Sequence, residues 1–204
     1  MVFFGDSITD GHSSTVDANL RYPDQVADRL LERPEAQQCG VLNSGISGNH
    51  LLTDAGTQGV SAMARFENDV LDQPGVHTVV LLEGINDIGN SEGAVEPEQL
   101  INVYRQFIER AHDHDIRVVG ATITPYEGAD YYTEAGEEDR QAVSEWIRNS
   151  GEFNALADYD AAVRDPDNPS RLLPAFNPGD NLHPNDEGYA AMADELDLEE
   201  ICAS

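Results

Sequence analysis

Residues 1–11 read MVFFGDSITDG, a short apolar run that ends in glycine and continues into hydroxyl and carboxylate side chains. The run from Val2 to Phe4 is typical of a buried strand, and the polar residues after it predict a strand-to-helix turn. The same succession recurs along the chain, because short β-branched runs alternate with amphipathic segments. This alternation predicts an α/β fold with a mainly parallel sheet.

Four further strands are predicted after the first. They cover Gly40 to Asn43, Thr78 to Leu82, Ile116 to Ile123, and a short run from Ala155 to Asp158. Five strands with intervening helices favour a doubly wound sheet, in which ligands bind beyond the carboxyl ends of the strands. The residues at those ends are therefore the candidates for chemistry.

Helices are predicted wherever apolar residues recur every three or four positions. The clearest stripe runs from Leu100 to Ala111, and Pro97 marks its start. Further helices are predicted from Pro23 to Leu31, from Gly59 through Val70, over Glu138 to Arg148 and from about Pro184 to Leu196, with a Pro-rich loop over Asp165 to Pro178. We find no internal repeat or linker, so one domain is predicted over residues 1–204.

The charge balance is extreme, with 39 acidic residues against 11 basic ones and a net charge of −28. All the basic residues are arginines. Such a balance argues against nucleic acid and anionic membranes as partners, since both are bound through Lys and Arg. Periodic apolar segments argue against disorder. We therefore predict a halophilic acidic protein adapted to molar salt, where repulsion between charges is screened within roughly 3 Å.

Targeting features are few. The longest strongly apolar runs, such as Val79 to Leu82, fall far short of the roughly 20 residues of a spanning helix, so no membrane insertion is expected. No signal peptide precedes the first motif, which predicts a cytoplasmic location by default. Because the first strand begins at Val2, an upstream segment outside this sequence stays an open alternative. Cys39 and Cys202 lack metal-ligand spacing and are expected to be apolar fillers or free thiols.

A serine and a histidine-aspartate pair carry the strongest chemical signal. Ser7 lies in the predicted turn after the first strand, and a serine nucleophile needs a base. The segment DNLHP at 180–184 supplies His183 and Asp180, so that one loop can present the imidazole to Ser7 and the carboxylate to the imidazole. Ser7 is thus the predicted nucleophile, His183 its base and Asp180 the residue that orients the base. An ordinary loop role for Asp180 stays an alternative.

Two further segments offer donors for the oxyanion that forms in acyl transfer. Asn86, in GIND at 84–87, follows the third strand with a neutral side-chain donor. Gly48, in NSGISGN at 43–49, lies in a flexible turn where the backbone can approach a substrate closely. The alternative for both residues is a purely structural role in a turn.

These four segments, read in order, resemble the sequence blocks of the GDSL or SGNH hydrolase superfamily. The elbow of the α/β hydrolases is disfavoured, because Thr9 stands where that motif needs a second glycine. The resemblance implies a flavodoxin-like three-layer α/β/α sandwich with a five-stranded parallel sheet, no metal and no cofactor. It also implies that Ser7 is nucleophile and backbone donor, Gly48 a second backbone donor and Asn86 a side-chain donor.

Several weaker candidates lie near these motifs. Asn49, Glu83 and Tyr126 are predicted to contact the substrate, with buried hydrogen bonding for Glu83 and core packing for Tyr126 as alternatives. His12 and His50 flank the motifs, and a surface role is favoured for both. The run from His112 to Asp115 carries side-chain types that can bind a metal, but it lies at the end of a long helix. Histidines there interact favourably with the helix dipole, and we favour this role over metal binding.

The resemblance implies hydrolysis of esters, thioesters or acetylated sugars. Because no long apolar lid segment is evident, we predict a serine esterase that removes short acyl groups, such as acetyl, from carbohydrate or small alcohols. A lysophospholipase or thioesterase of the same family is the alternative. A flavin-binding module of flavodoxin type and a catalytically inactive carbohydrate-binding relative are weaker hypotheses, since Asp6 and Asp10 would repel a phosphate and every catalytic position holds a competent residue.

Overall fold

A five-stranded parallel sheet forms the centre of the computed structural model, which describes residues 1–91 and 94–202. Its strands lie side by side in the order β2-β1-β3-β4-β5. They are β1 (Val2–Gly5), β2 (Leu42–Gly45), β3 (Thr78–Leu82), β4 (Arg117–Ala121) and β5 (Ala155–Ala157). The order is that of flavodoxin, and it confirms the predicted fold class.

Nine α-helices connect and flank the strands within the described residues. They are α1 (Ser7–Asp10), α2 (Tyr22–Leu31), α3 (Ala62–Phe66), α4 (Ile85–Asn90), α5 (Pro97–His112), α6 (Glu134–Asn149), α7 (Tyr159–Val163), α8 (Asp186–Glu195) and α9 (Leu198–Ile201). A π-helical turn over Glu67–Leu71 extends α3, and a two-stranded hairpin pairs β6 (Arg164–Asp165) with β7 (Asn168–Leu172).

Both faces of the sheet are buried beneath helices. Successive side chains of a strand point to opposite faces, so Phe4 packs against Phe66 and Phe107 while Phe3 packs against Tyr22. One apolar cluster joins the sheet to α3, α5 and α6, and a second joins it to α2, α8 and α9. The molecule is therefore a three-layer α/β/α sandwich, as predicted.

Some boundaries differ from the prediction for reasons of pairing and length. β2 begins at Leu42 rather than Gly40, because Leu42 pairs with Val2 at the start of β1. Val60 is 49% exposed and lies outside α3, which begins after the capping residue Ser61. The loop predicted over Asp165 to Pro178 contains β7. The short helices α1, α4 and α7 span four to six residues, too few to show a helical period.

The expectation for the two cysteines was wrong. Cys39 and Cys202 form a disulfide, with a Cα–Cα distance of 5.8 Å across a sequence separation of 163 residues. The bond links the segment between α2 and β2 to the residue that follows α9. The two positions are distant in sequence and become neighbours because α2 and α9 pack on the same face of the sheet.

Candidate active site

The carboxyl ends of three adjacent strands bring the first three motifs to one edge of the sheet. Gly5, the last residue of β1, is in register with Gly45 of β2 and with Leu82 of β3. Ser7 follows the end of β1 by two residues, Gly48 that of β2 by three, and Asn86 that of β3 by four. The parallel register therefore places all three residues on neighbouring loops.

Ser7 is the first residue of α1 and is buried, with 6% of its surface exposed. The preceding Asp6 caps the helix by accepting the N–H of Ile8 at 2.9 Å. This cap fixes the turn between β1 and α1. It leaves the Ser7 hydroxyl 2.8 Å from Nε2 of His183, which lies 176 residues further along the chain.

His183 connects Ser7 to Asp180. Its Nδ1 lies 2.8 Å from Oδ2 of Asp180, while Oδ1 of Asp180 accepts the backbone N–H groups of Leu182 and His183 at 3.0 Å each. The loop bends through Asn181, whose φ of 61° is left-handed. Asp180 therefore holds both the loop and the imidazole, with Nδ1 as donor to the carboxylate and Nε2 free to accept the Ser7 proton.

The electrostatic environment determines the protonation states of His183 and Asp180. Burial lowers the pKa of His183 below its ordinary 6.5, with His12 adding to the decrease and Asp180 opposing it. Partial burial raises the pKa of Asp180, but the N–H groups of His183 and Leu182 outweigh it and leave that pKa below its usual value. At neutral pH a neutral imidazole thus faces an ionised carboxylate.

Asn86 is linked to the loop of Gly48 by a hydrogen bond to Asn49, the residue after Gly48. The Asn86 amide donates one hydrogen from Nδ2 to the carbonyl of Asn49 at 2.9 Å, which leaves its second hydrogen for another acceptor. Gly48 has a φ of 77°, and a Cβ there would lie 2.7 Å from side-chain atoms of Gln58. The left-handed φ favours glycine at this position, and any larger residue would also displace the Gln58 side chain.

Asp87 fixes the loop that carries Gly48. Its two carboxylate oxygens accept the N–H groups of Leu51 and Leu52 at 2.7 and 3.0 Å. Because Asp87 follows Asn86 in α4, the same short helix carries Asn86 and anchors the loop that contains Gly48.

Arg65 lies beneath all three motif loops and is almost fully buried. Its guanidinium donates to the carbonyls of Gly5 and Ser44 at 2.8 Å each, so that it links the ends of β1 and β2. It also donates to the side chain of Asn49 at 2.8 Å and to Glu83 at 3.2 Å. One side chain thus ties the end of β1, the Gly48 loop and the end of β3 together.

Buried carboxyl groups surround Arg65. Burial raises the pKa of Asp6 to about 7, and it raises the pKa of Glu83 well above its ordinary value. The mutual repulsion of Asp6, Glu83 and Asp87 acts in the same direction, while Arg65 opposes it. Burial and repulsion therefore outweigh Arg65 and keep the pKa values of Asp6 and Glu83 above their usual range.

The three candidates for substrate contact are buried, and their contact with a substrate stays a prediction. The Asn49 side chain accepts from Arg65 and donates to the carbonyls of Gln58 and Val60. Glu83 is buried against Arg65, and Tyr126 lies in the apolar core against Tyr131 and Tyr132. The alternatives, buried hydrogen bonding for Glu83 and core packing for Tyr126, agree with these contacts.

The other histidines occupy different surroundings. The ring of His12 lies 4.2 Å from that of His183, between centroids. His50 contacts Asn90, the last residue of α4, with 3.3 Å between Nε2 and Nδ2. His112 and His114, near the end of α5, lie 2.9 Å from Oδ1 of Asn154 and from the carbonyl of Arg110, respectively.

Two cavities lie beside the short helices α1 and α4. One, of about 480 Å³, lies within the loop that follows α1, and it is lined mainly by polar residues: Gly11, Ser13, Ser14, Thr15, Val16, Asp17, Asn19, Leu20 and Arg21. The other, of about 410 Å³, is lined by Gly89, Asn90 and residues 130–133. The second reaches the site through Tyr131, whose hydroxyl lies 3.5 Å from Oδ1 of Asn86.

Comparison with known proteins identifies the class. The sequence profile of the GDSL-like lipase/acylhydrolase family matches residues 3–191, and the chain belongs to this family. The protein is therefore a carboxylic ester hydrolase. No curated protein gives a match to the sequence.

Solved structures share this fold over nearly their whole length. An acetyl xylan esterase, AlAXEase, is 25% identical with a TM-score of 0.69, over 95% of this chain and 96% of its own. Est24, a carbohydrate acetylesterase from Sinorhizobium meliloti, is 12% identical with a TM-score of 0.71, over 94% and 93%. A G-D-S-L family lipolytic protein from Desulfitobacterium hafniense is 22% identical with a TM-score of 0.69, over 95% of both chains.

Sequence reasoning assigned no role to Arg65 or Asp87. Asp87 belongs to the GIND segment at 84–87, but a carboxylate that accepts backbone N–H groups from a distant loop leaves no local pattern. Arg65 carried one signal, since it interrupts the apolar residues of a short helix in a chain with only 11 basic residues. A buried arginine needs several acceptors, and such a position predicts a polar cluster beneath it.

Proposed function

We propose that the protein hydrolyses short acyl esters, such as acetyl groups on carbohydrate or small alcohols, by Ser-His-Asp catalysis. The observation that carries the proposal is the unbroken chain from the Ser7 hydroxyl through His183 to Asp180, with both contacts at 2.8 Å. Asp180 fixes the tautomer in which Nε2 of His183 accepts a proton, so the hydroxyl of Ser7 has a base within reach.

The proposed reaction proceeds through an acyl-enzyme. Oγ of Ser7 attacks the ester carbon while Nε2 of His183 takes the hydroxyl proton, and the same proton then leaves with the alcohol. Water, activated by His183, releases the acid in the second half. The backbone N–H groups of Ser7 and Gly48 and the free hydrogen of the Asn86 amide are the proposed donors to the oxyanion in both halves.

The preference for short acyl groups on polar alcohols has two supports. Polar side chains line most of the cavity after α1, which suits the hydroxyl groups of a sugar better than an acyl tail. Structural neighbours include an acetyl xylan esterase and a carbohydrate acetylesterase.

Within the described part of the chain, no helix is both long and apolar enough to cross a membrane.

We also propose that the protein works in concentrated salt. Each of the 11 arginines already has a carboxylate within 4.0 Å, as in the pairs of Arg148 with Asp158 and of Arg171 with Asp165. The arginine side chains are thus engaged, while 39 acidic residues leave most of the negative charge uncompensated. Dissolved cations would have to screen the remainder.

The compartment is a separate question. A cytoplasmic location stays a prediction, and the disulfide between Cys39 and Cys202 argues for an oxidising compartment, where such bonds persist. Fractionation of the source cells, followed by thiol labelling of the protein from each fraction, would decide between the two.

The test of the catalytic proposal combines labelling with a substrate series. A fluorophosphonate should label Ser7, and Ser7→Ala should abolish both labelling and turnover. Ser47→Ala is a matched control, because Ser47 is an exposed serine of the glycine motif that bonds to Asp10. Labelling of another serine in the Ser7→Ala protein would refute the assignment.

Substrate preference is measured with p-nitrophenyl esters of increasing chain length, together with acetylated xylan. We expect the highest kcat/KM for acetate and a steep fall with acyl length. A maximum at long chains would favour the lysophospholipase alternative, and preferential cleavage of acyl thioesters would favour a thioesterase.

A further inference from the structure

A second histidine lies beside the proposed base. The rings of His12 and His183 are tilted by 45° with their centroids 4.2 Å apart. One ring nitrogen of each histidine and one oxygen of Asp180 lie within 4.8 Å of one another. Within the described residues, no other group of three His, Cys, Asp or Glu side chains comes together in this way.

The backbone holds His12 in this position. Its N–H donates to the carbonyl of Ser7 at 2.9 Å, and its own carbonyl accepts the hydroxyl of Tyr189 at 2.7 Å. The imidazole of His12 and the carboxylate of Asp180 are both on the exposed side of the cluster, while His183 is buried. An ion can therefore approach from solvent.

We propose that His12, His183 and Asp180 bind a divalent transition-metal ion, of which Zn²⁺ is the model case, and that the bound ion inhibits the esterase. Imidazole nitrogens with a carboxylate oxygen form a donor set typical of Zn²⁺, and water can complete the tetrahedron. With Zn–N distances of about 2.0–2.1 Å, neighbouring ligand atoms lie about 3.3 Å apart. The present separations, of up to 4.8 Å, would have to shorten by at most about 1.5 Å for the ligands to converge on the ion.

Metal binding removes the base in either geometry. If Nδ1 of His183 binds the ion, the hydrogen bond to Asp180 is lost. If Nε2 binds it, the lone pair that accepts the Ser7 proton is occupied. The ion is thus an inhibitor and takes no part in the reaction, and only this inhibitory consequence rests on the proposed function.

The charge of the protein favours cations near the site but does not select among them. A net charge of −28 raises the local concentration of every cation. Selection comes from the two imidazoles, because Mg²⁺ and Ca²⁺ prefer oxygen ligands. Mg²⁺ therefore serves as the control for binding to surface carboxylates.

The experiment measures Zn²⁺ binding by calorimetry in molar KCl, and inhibition of p-nitrophenyl acetate hydrolysis in the same buffer. His12→Asn removes one ligand. His114→Asn is the matched control, since His114 is exposed and lies between Asp113 and Asp115, away from the cluster. Inhibition is expressed relative to the zinc-free rate of each variant.

We expect one tight Zn²⁺ site in the wild-type protein and in His114→Asn. In His12→Asn the Kd and the inhibitory concentration should both rise by at least about tenfold, since loss of even an outer partner of a metal site costs 10- to 100-fold. Excess Mg²⁺ should leave both values unchanged. Binding that depends on His12 in a protein that hydrolyses no ester would support the metal site and refute the proposed function.

Equal Zn²⁺ affinity in the wild-type protein and His12→Asn would overturn the proposal. So would an equal loss of affinity in His114→Asn, or displacement of Zn²⁺ by Mg²⁺, since both would assign the binding to surface acids and histidines in general.

Discussion

Replacement of Asn86 by alanine separates its two proposed contributions. One amide hydrogen bonds to the carbonyl of Asn49 in the resting protein, and the other is the proposed donor to the oxyanion. Loss of an oxyanion donor costs about 10²- to 10³-fold in kcat, or about 3–4 kcal/mol. Because the donor engages the transition state more strongly than the ground state, KM should change little.

The same change also has a structural cost that the contact with Asn49 predicts. A buried carbonyl left without its donor destabilises a protein by about 1–3 kcal/mol. In a domain of this size each kcal/mol corresponds to roughly 2–4 °C in Tm. Asn86→Ala should therefore lower Tm by about 2–12 °C while the variant still folds, so that kcat can be measured on folded protein.

Two companion variants make this test specific. Asn86→Asp preserves the shape of the side chain but places an oxygen opposite the Asn49 carbonyl and the oxyanion, so it should lose at least as much kcat as the alanine variant. Asn90→Ala changes an exposed asparagine of the same helix and should leave kcat unchanged. Steady-state kinetics and Tm are measured on the same samples. A folded Asn86→Ala protein with near wild-type kcat would refute the oxyanion role.

Three further predictions concern charge. Because burial lowers the pKa of His183, the acidic limb of the pH profile of kcat/KM should lie below pH 6.5. Asp180 raises this pKa, so Asp180→Asn should lower kcat and move the acidic limb to still lower pH. Undiminished activity of the variant would mean that Asp180 is only a loop residue. Tm should rise between dilute buffer and molar KCl, as the Debye length falls from about 30 Å to about 3 Å, and a constant Tm would contradict the halophilic hypothesis. The pKa of Asp6 is raised to about 7 from an ordinary 3.8, so its contribution to stability is complete below pH 3.8 and is lost as pH rises through 7. The asparagine of Asp6→Asn cannot ionise, so the Tm of this variant minus that of the wild type should increase between pH 3.8 and about 7. A Tm difference that does not change with pH would contradict the raised pKa of Asp6.

Local pattern was enough for the layers of this fold. The strand from Thr78 to Leu82 was predicted with its observed bounds, because a buried parallel strand is a continuous apolar run. The helix that ends at His112 was predicted from its stripe and from Pro97. The sequence also predicted that Ser7 and His183 come together, as the 2.8 Å contact between them shows, while their catalytic roles stay predictions.

Tertiary structure alone decided which distant groups meet. The 163 residues between Cys39 and Cys202, and the buried contacts of Arg65 with three strand ends, leave no periodic trace in the sequence. Glu83 is a second case. Its position beside a motif suggested a contact with substrate, and only the folded structure shows that its carboxylate is buried against Arg65. The periodicity of apolar residues is a property of a single segment and can be read from the sequence. A contact between distant residues depends on how two segments pack, and only the folded sheet determines that packing.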